Sequence, residues 1–321
     1  NLNTLIKETL AKFKQNGLKM IAINAIPVLV STLVGLAIGA GFYSSLFKTI
    51  FSAGTNLARD IGLLVIFFVG LGLLMSVLQT WTALALIYMA GDLKKASIKT
   101  AFLNTKNKIF KAWGLAILYS IIVLGGTLAL IIPGILLAFW FSFSWFILVA
   151  EDTPGLKALI KSRKYFKGQA WTIFMRILVP ELLVILALFI LSFFYQMIDS
   201  QAVTAIIQQI ISLILTPLGI LYVFQIYRYA KQTKPELAQL ELKKKDKTGY
   251  IIWAIIGGLA MLAIPVAIIV SGFLGFRSLQ NTFKQQQEIE SQQQKIQRLM
   301  EESENSSQKM LEEAKENAVY K

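Results

Sequence analysis

Ile61–Met75 reads IGLLVIFFVGLGLLM, a run without one polar side chain, and the apolar character continues through SVLQTWTALALIYMA to Ala90. About 30 helical residues span about 45 Å, more than the roughly 30 Å hydrocarbon core of a bilayer. The block therefore reads as a transmembrane helix that tilts or protrudes.

The same reading extends in both directions. An apolar block runs from Leu18 to about Tyr43, interrupted by Asn24 and Pro27. Another, Ala112 to Ala150, is too long for one helix and is broken at Ile132-Pro133-Gly134. Its two flanks are lysine-rich, and ends on one side require an even number of crossings, so it is read as a hairpin turning at Pro133-Gly134. Blocks at 171–195, 202–227 and 250–276 bring the expected spans to seven, at about 18–43, 61–90, 112–132, 135–150, 171–195, 202–227 and 250–276. The opening segment is amphipathic and its apolar block too long for an h-region, so no cleavable signal peptide is expected.

Composition agrees. Of the 321 residues 55% are hydrophobic and only 16% charged, against about 25% charged in soluble chains; the mean hydropathy is +0.61. Histidine and cysteine are both zero, which excludes disulfides, thiol nucleophiles, imidazole bases and cysteine or histidine metal sites. No cofactor is expected.

The net charge of +14 is distributed with a pattern. Lysines and arginines crowd the N-terminal segment and the second-to-third, fourth-to-fifth and sixth-to-seventh connections. The alternate connections hold only Lys48 and Arg59, with none at the Pro133 turn or around Asp199. This alternation predicts a cytoplasmic N-terminus and an external C-terminus, a bacterial cytoplasmic membrane being the simplest location. Nucleic acid is a poor reading, because the charge is divided among loops.

Three short segments lead into spans with apolar residues at one helical face and lysines between: Leu2, Leu5, Ile6 and Leu10; Ile98, Ala101 and Phe102; Leu156, Leu159 and Ile160. They are read either as interfacial helices, with Lys7, Lys14, Lys106, Lys111, Lys164 and Lys167 near anionic lipid, or as loop helices packed on the bundle.

The stretch IIPGILLAFWFSFSWFILVAEDTPGLKALIKSRKYFKGQAWTIF resembles the bacterial glycerophosphoryl diester phosphodiesterase membrane-domain family and its YciC-like uncharacterised relatives. The matching positions are Pro133-Gly134, the aromatic second leg, Glu151-Asp152, Ala158-Leu159, Ser162, Lys167-Gly168, Trp171 and Phe174; the opening LIKETLAKFKQNGLKMIAIN is similar too. Over residues 1–230 the resemblance implies a six-helix bundle with amphipathic helices, and little about activity. The seventh span and polar tail depart from it. The expected organisation is a 1–230 membrane domain, a basic linker at 231–249, a seventh span at 250–276 and an external polar helix at 277–321.

Within the spans, Glu181 follows Pro180, which frees a carbonyl about four residues earlier. Arg176 lies five residues back and pairs with Glu181 only through a kink. Glu181 is read either as a proton-relay or cation site or as a neutralised acid or ion pair locking helices. Gln79, Thr80 and Thr82 are expected to bond between helices, or to line a cavity with Asn24 and Gln225. Trp140–Trp145 (WFSFSW) reads as belt or packing. Gly35, Gly39, Gly41 and Gly257-Gly258 read as close helix approach. Glu151-Asp152 is read either as a cation site or, better suited to its place before Pro154-Gly155, as a turn and helix start.

Beyond Phe276 the chain turns polar. Ile289, Ile296, Met300, Met310 and Ala314 share a heptad seam with Gln286, Gln293, Ser303 and Ser307, a weak coiled-coil signal on a helix about 65 Å long. With no catalytic constellation, the expected function is non-enzymatic: a scaffold or anchor acting through this helix, its partners membrane lipids and either a protein or a second copy. The alternative is a transporter or lipid-handling module using Glu181.

Overall fold

The computed structural model describes residues 2–37, 57–92, 96–195, 198, 200–240 and 244–319. Gly39, Gly41, Lys48, Asp199 and the end of the first block at Tyr43 lie outside the described residues, as do the side chains of Arg59, Met310 and Ala314. Every described regular element is a helix: α1 (Leu2–Ala37), α2 (Leu57–Gly91), α3 (Ile98–Thr105), α4 (Ile109–Ala129), α5 (Ile131–Trp140), α6 (Ser144–Ala150), α7 (Gly155–Phe166), α8 (Ala170–Tyr195), α9 (Gln201–Gln232) and α10 (Lys244–Val319), with short 3-10 turns at Lys106–Lys108 and Pro235–Gln239. Among the described residues seven helical stretches are long and apolar enough to cross a membrane. The all-helical membrane fold expected from the apolar blocks is present, and the chain is a multi-pass membrane protein.

Two compact units divide the chain, Asn1–Gly258 and Leu259–Lys321. The second is the remainder of α10; Ile264, Ile268 and Ile289 on it are exposed. The first has a core gathered at one end of its helices. Met20 and Ile23 of α1, Leu84 and Met89 of α2, and Leu221 and Ile226 of α9 are fully buried, while Ile66 of α2, Phe189 of α8 and Ile206 of α9 are exposed. Exposed isoleucine and phenylalanine on long apolar helices are what lipid, rather than water, tolerates as solvent.

The hairpin turns three residues before the expected place. Leu130, extended at φ −161 and ψ 140, separates α4 from α5, and Pro133 and Gly134 lie in the first turn of α5. A proline is accommodated there because the first N–H groups of a helix have no partner four residues back. Gly134 instead lets the two legs meet, since a Cβ there would run into Thr127. The second leg is also not one helix. It breaks between α5 and α6, where the Ser162 hydroxyl accepts from the Phe143 N–H at 3.2 Å and donates to the Trp140 carbonyl at 2.6 Å.

Of the three lead-in segments, the first is continuous with α1, the second is α3 and the third α7. The apolar face of α7 is spent on the protein: Ala158, Leu159, Ile160, Tyr165 and Phe166 are buried, as the second of the two readings, a loop helix packed on the bundle, has it. The WFSFSW run packs likewise, with Phe141 and Phe143 fully buried. Gly257 supports a close approach between α10 and α4, where a Cβ would strike the Ile121 carbonyl and one on Gly125 the Trp253 carbonyl; Gly35 and Gly258 face open space.

Candidate functional site

Two prolines inside long helices organise the polar chemistry between α1, α8 and α9. Each lacks an N–H and so leaves the carbonyl four residues earlier without its helical donor. For Pro180 on α8 that carbonyl belongs to Arg176, and the Tyr222 hydroxyl of α9 donates to it at 2.5 Å. For Pro217 on α9 it belongs to Leu213, and the Asn24 Nδ2 of α1 donates at 3.5 Å, sharing its bond with the Ser212 carbonyl at 3.3 Å. Side chains from neighbouring helices thus complete both kinks.

A cleft of about 860 Å³ lies between these three helices, with Phe146 of α6 also on its wall. The lining is mostly apolar, with Leu188, Leu215 and Val223 among it, and its polar groups include Glu181, Gln208 and Tyr195. The Tyr195 hydroxyl is buried without a hydrogen-bond partner among the described residues. Glu181 is exposed on this wall and, among the described residues, does not pair with Arg176. The Arg176 guanidinium lies instead 4.5 Å over the ring of Tyr229, since five residues along a helix turn it about 140° away from Glu181.

Next to the cleft is a smaller pocket of about 260 Å³, lined by Glu8 and Lys12 of α1, Arg176 of α8, and Gln225, Arg228 and Tyr229 of α9. Lys12 Nζ donates to Gln225 Oε1 at 2.5 Å. Gln225 is 5% exposed, and among the described residues its Nε2 has no partner.

Among the described residues, the polar groups considered from sequence for one cavity lie apart. Asn24 serves the α9 backbone, Gln225 faces Lys12, and Gln79 is exposed on α2. Thr80 accepts from Trp113 Nε1 at 3.2 Å, Trp81 donates to the Phe102 carbonyl at 3.0 Å, and the Thr82 hydroxyl is buried without a partner. These are interhelical bonds scattered over several helix pairs.

A third group of polar residues was not legible from sequence. Glu151 does not start a helix: the residue before α7 is Pro154, with no side-chain cap. The Glu151 side chain turns inward, 6% exposed, to an ion pair with Lys161, whose side chain is 2% exposed. The Tyr165 and Tyr227 hydroxyls donate to Glu151 Oε1 at 3.0 and 2.5 Å, and Lys231 Nζ stands 3.5 Å from the same oxygen. Burial pushes the Glu151 carboxyl up, but hydrogen bonds from Lys161 and Tyr227 and the charges of Lys161 and Lys231 outweigh it and hold the group below its ordinary value. Burial and the Glu151 charge raise the Tyr165 hydroxyl. An acid held ionised by lysines and phenols is a packing knot, unsuited to proton donation. Its available signal was Lys161, which shares the buried face of α7 with Ala158, Ser162 and Tyr165.

Asp152 diverges from its neighbour. At φ 47 it points to Lys108 and Lys111, each 3.3 Å away, and the charge of Lys108, then of Lys111, lowers its carboxyl. Of the lysines assigned to the lipid boundary, Lys7, Lys14, Lys106 and Lys167 are exposed, whereas Lys111 pairs with Asp152 and Lys164 with Asp246 at 3.3 Å. Among the described residues no three acids gather as a metal site. No protein-family model, curated protein or solved structure matches this chain.

Proposed function

We propose that the chain is a non-enzymatic, lipid-handling membrane module that takes an apolar chain of a membrane lipid into the cleft between α1, α8 and α9. The cleft carries this reading. Its volume of about 860 Å³ falls within the roughly 300–1,000 Å³ of small-molecule sites, and its apolar walls belong to helices whose outer faces are themselves apolar and exposed. Within this reading the membrane is a bacterial cytoplasmic membrane, with the N-terminus and basic connections on the cytoplasmic side. The test is lipid retention by the full chain, purified in mild detergent and examined by native mass spectrometry. Wild type retains lipid, and Leu188→Trp, which fills the cleft, loses it; equal retention by both would remove the proposal. Glu181→Gln, compared with wild type in a vesicle lipid-transfer assay, reports whether the carboxyl takes part.

The scaffold reading has its own support. α10 continues as one helix from Lys244 to Val319, and Ile289 and Ile296 are exposed on it, leaving an apolar seam for a partner helix. Deleting residues 277–321 then abolishes co-purification of the partner or second copy while the remaining helices still insert. A native particle lighter only by the deleted residues would count against it.

A further inference from the structure

The small pocket beside the cleft is basic in a way that a purely apolar ligand would not use. Three cations, Lys12, Arg176 and Arg228, line it against one carboxylate, Glu8. Among its walls Gln225 is the most constrained: its Oε1 is taken by Lys12 and its Nε2 lacks an acceptor. A buried amide donor without a partner is desolvated and uncompensated, and an oxyanion in the pocket relieves this once the terminal amide turns toward it.

The cleft and the pocket are consecutive along α8 and α9, and on α1 they take alternate residues of the same turns. On α8 the cleft begins at Pro180 and the pocket holds Arg176, about one turn away. On α9 the cleft ends at Val223 and the pocket begins at Gln225. The Tyr222–Arg176 hydrogen bond marks the junction. An apolar volume followed along α8 and α9 by a small cationic one matches an amphiphile with an anionic head.

We infer that Lys12, Gln225, Arg176 and Arg228 form a phosphate site for a phospholipid whose acyl chain occupies the neighbouring cleft. The inference rests on the lipid reading above and assigns its headgroup chemistry. The guanidiniums of Arg176 and Arg228 supply charge-assisted donors to the phosphate oxygens, and Lys12 a mobile ammonium. Exposed Lys7 and Lys14 on α1 lie near the same end of the helix and attract anionic lipid to it.

The experiment uses the full chain in detergent and scores retained phosphatidylglycerol, retained diacylglycerol and the melting shift given by inorganic phosphate. Wild type, Arg228→Gln, Lys12→Gln and Leu188→Trp are compared, with melting curves confirming that each folds. Wild type is expected to prefer phosphatidylglycerol. Loss of one charge-assisted bond in Arg228→Gln lowers phosphatidylglycerol retention about tenfold while sparing diacylglycerol; Lys12→Gln acts in the same direction, and Leu188→Trp lowers both lipids. Equal retention of the two lipids by wild type, unchanged by Arg228→Gln and Lys12→Gln, overturns the phosphate site and leaves the cleft standing. Retention of neither lipid overturns both. A melting shift with inorganic phosphate that needs Arg228, alongside lipid retention that does not, also overturns the inference, because the pocket then serves a soluble anion.

Discussion

Tyr222 donates its phenolic proton across 2.5 Å to the Arg176 carbonyl, the one carbonyl of α8 that Pro180 leaves without a helical donor. A kink in one helix is thereby converted into a bond to the next, and the cleft and the basic pocket meet at that point.

Tyr222→Phe strands the carbonyl in apolar surroundings. The expected loss is about 1 kcal/mol, between the average of about 0.6 and the maximum of about 1.7 found for interhelical hydrogen bonds in membranes. Pro180→Ala returns an N–H to the same oxygen, so in that background Tyr222→Phe should cost much less. A double-mutant cycle by thermal unfolding in detergent measures the coupling; strictly additive losses would show that the two residues do not share the carbonyl.

Asn24 and Pro217 should behave alike but more weakly. The Asn24 bonds are long, at 3.3 and 3.5 Å, and shared between two carbonyls. Asn24→Ala is expected to cost about 0.5 kcal/mol, at the lower end for a neutral hydrogen bond, and less again in Pro217→Ala. A larger loss than for Tyr222→Phe would reverse the ranking of the two kinks.

The apolar spans were legible because the thickness of a bilayer sets a length that few other structures need, and Ile61–Ala90 or Trp171–Tyr195 meet it without interpretation. The freed carbonyl before Pro180 was legible for the same local reason. Its donor was not, since Tyr222 lies 46 residues away and only the pairing of α8 with α9 brings it there. The hairpin turn was misplaced by three residues because proline marks a helix start as readily as a break. Glu151 was misread altogether: next to Asp152-Thr153-Pro154 it looks like turn chemistry, while its partners Lys161, Tyr227 and Lys231 come from α7 and α9.

Gly125 and Gly257 make a sharper test of packing. A Cβ on either would collide with a backbone carbonyl of the facing helix, and no flexible side chain stands there to yield. Gly257→Ala should destabilise by about 1–3 kcal/mol, as overpacking does, and loosen the start of α10. Gly258→Ala, facing open space, should change stability by less than about 0.5 kcal/mol. Melting temperatures of the two variants decide the matter, and equal effects would mean that α10 does not cross α4 at Gly257.

The Glu151–Lys161 pair gives a mutational and a pH-dependent outcome with the same origin. Removing one partner from a buried pair leaves the other charge uncompensated, at about 3–5 kcal/mol, whereas replacing both by apolar residues is far milder. Lys161→Met and Glu151→Leu should therefore each destabilise strongly, and the double variant less than either sum predicts. The pH dependence follows from the direction of the shift. Glu151 is held below its ordinary value of 4.5, so its contribution is complete above that value and is lost as pH falls through the lower, folded-state one. Asp152 is lowered too, from 3.8, and titrates in the same acidic window; the measurement accordingly belongs in an Asp152→Asn background. There, acidification from pH 7 to below about 4 should reduce the melting temperature, and Glu151→Gln should flatten that decline. A decline of equal slope with glutamine at 151 would mean that another carboxyl carries the acid sensitivity of the bundle, and that the two lysines and two tyrosines around Glu151 hold it by packing alone.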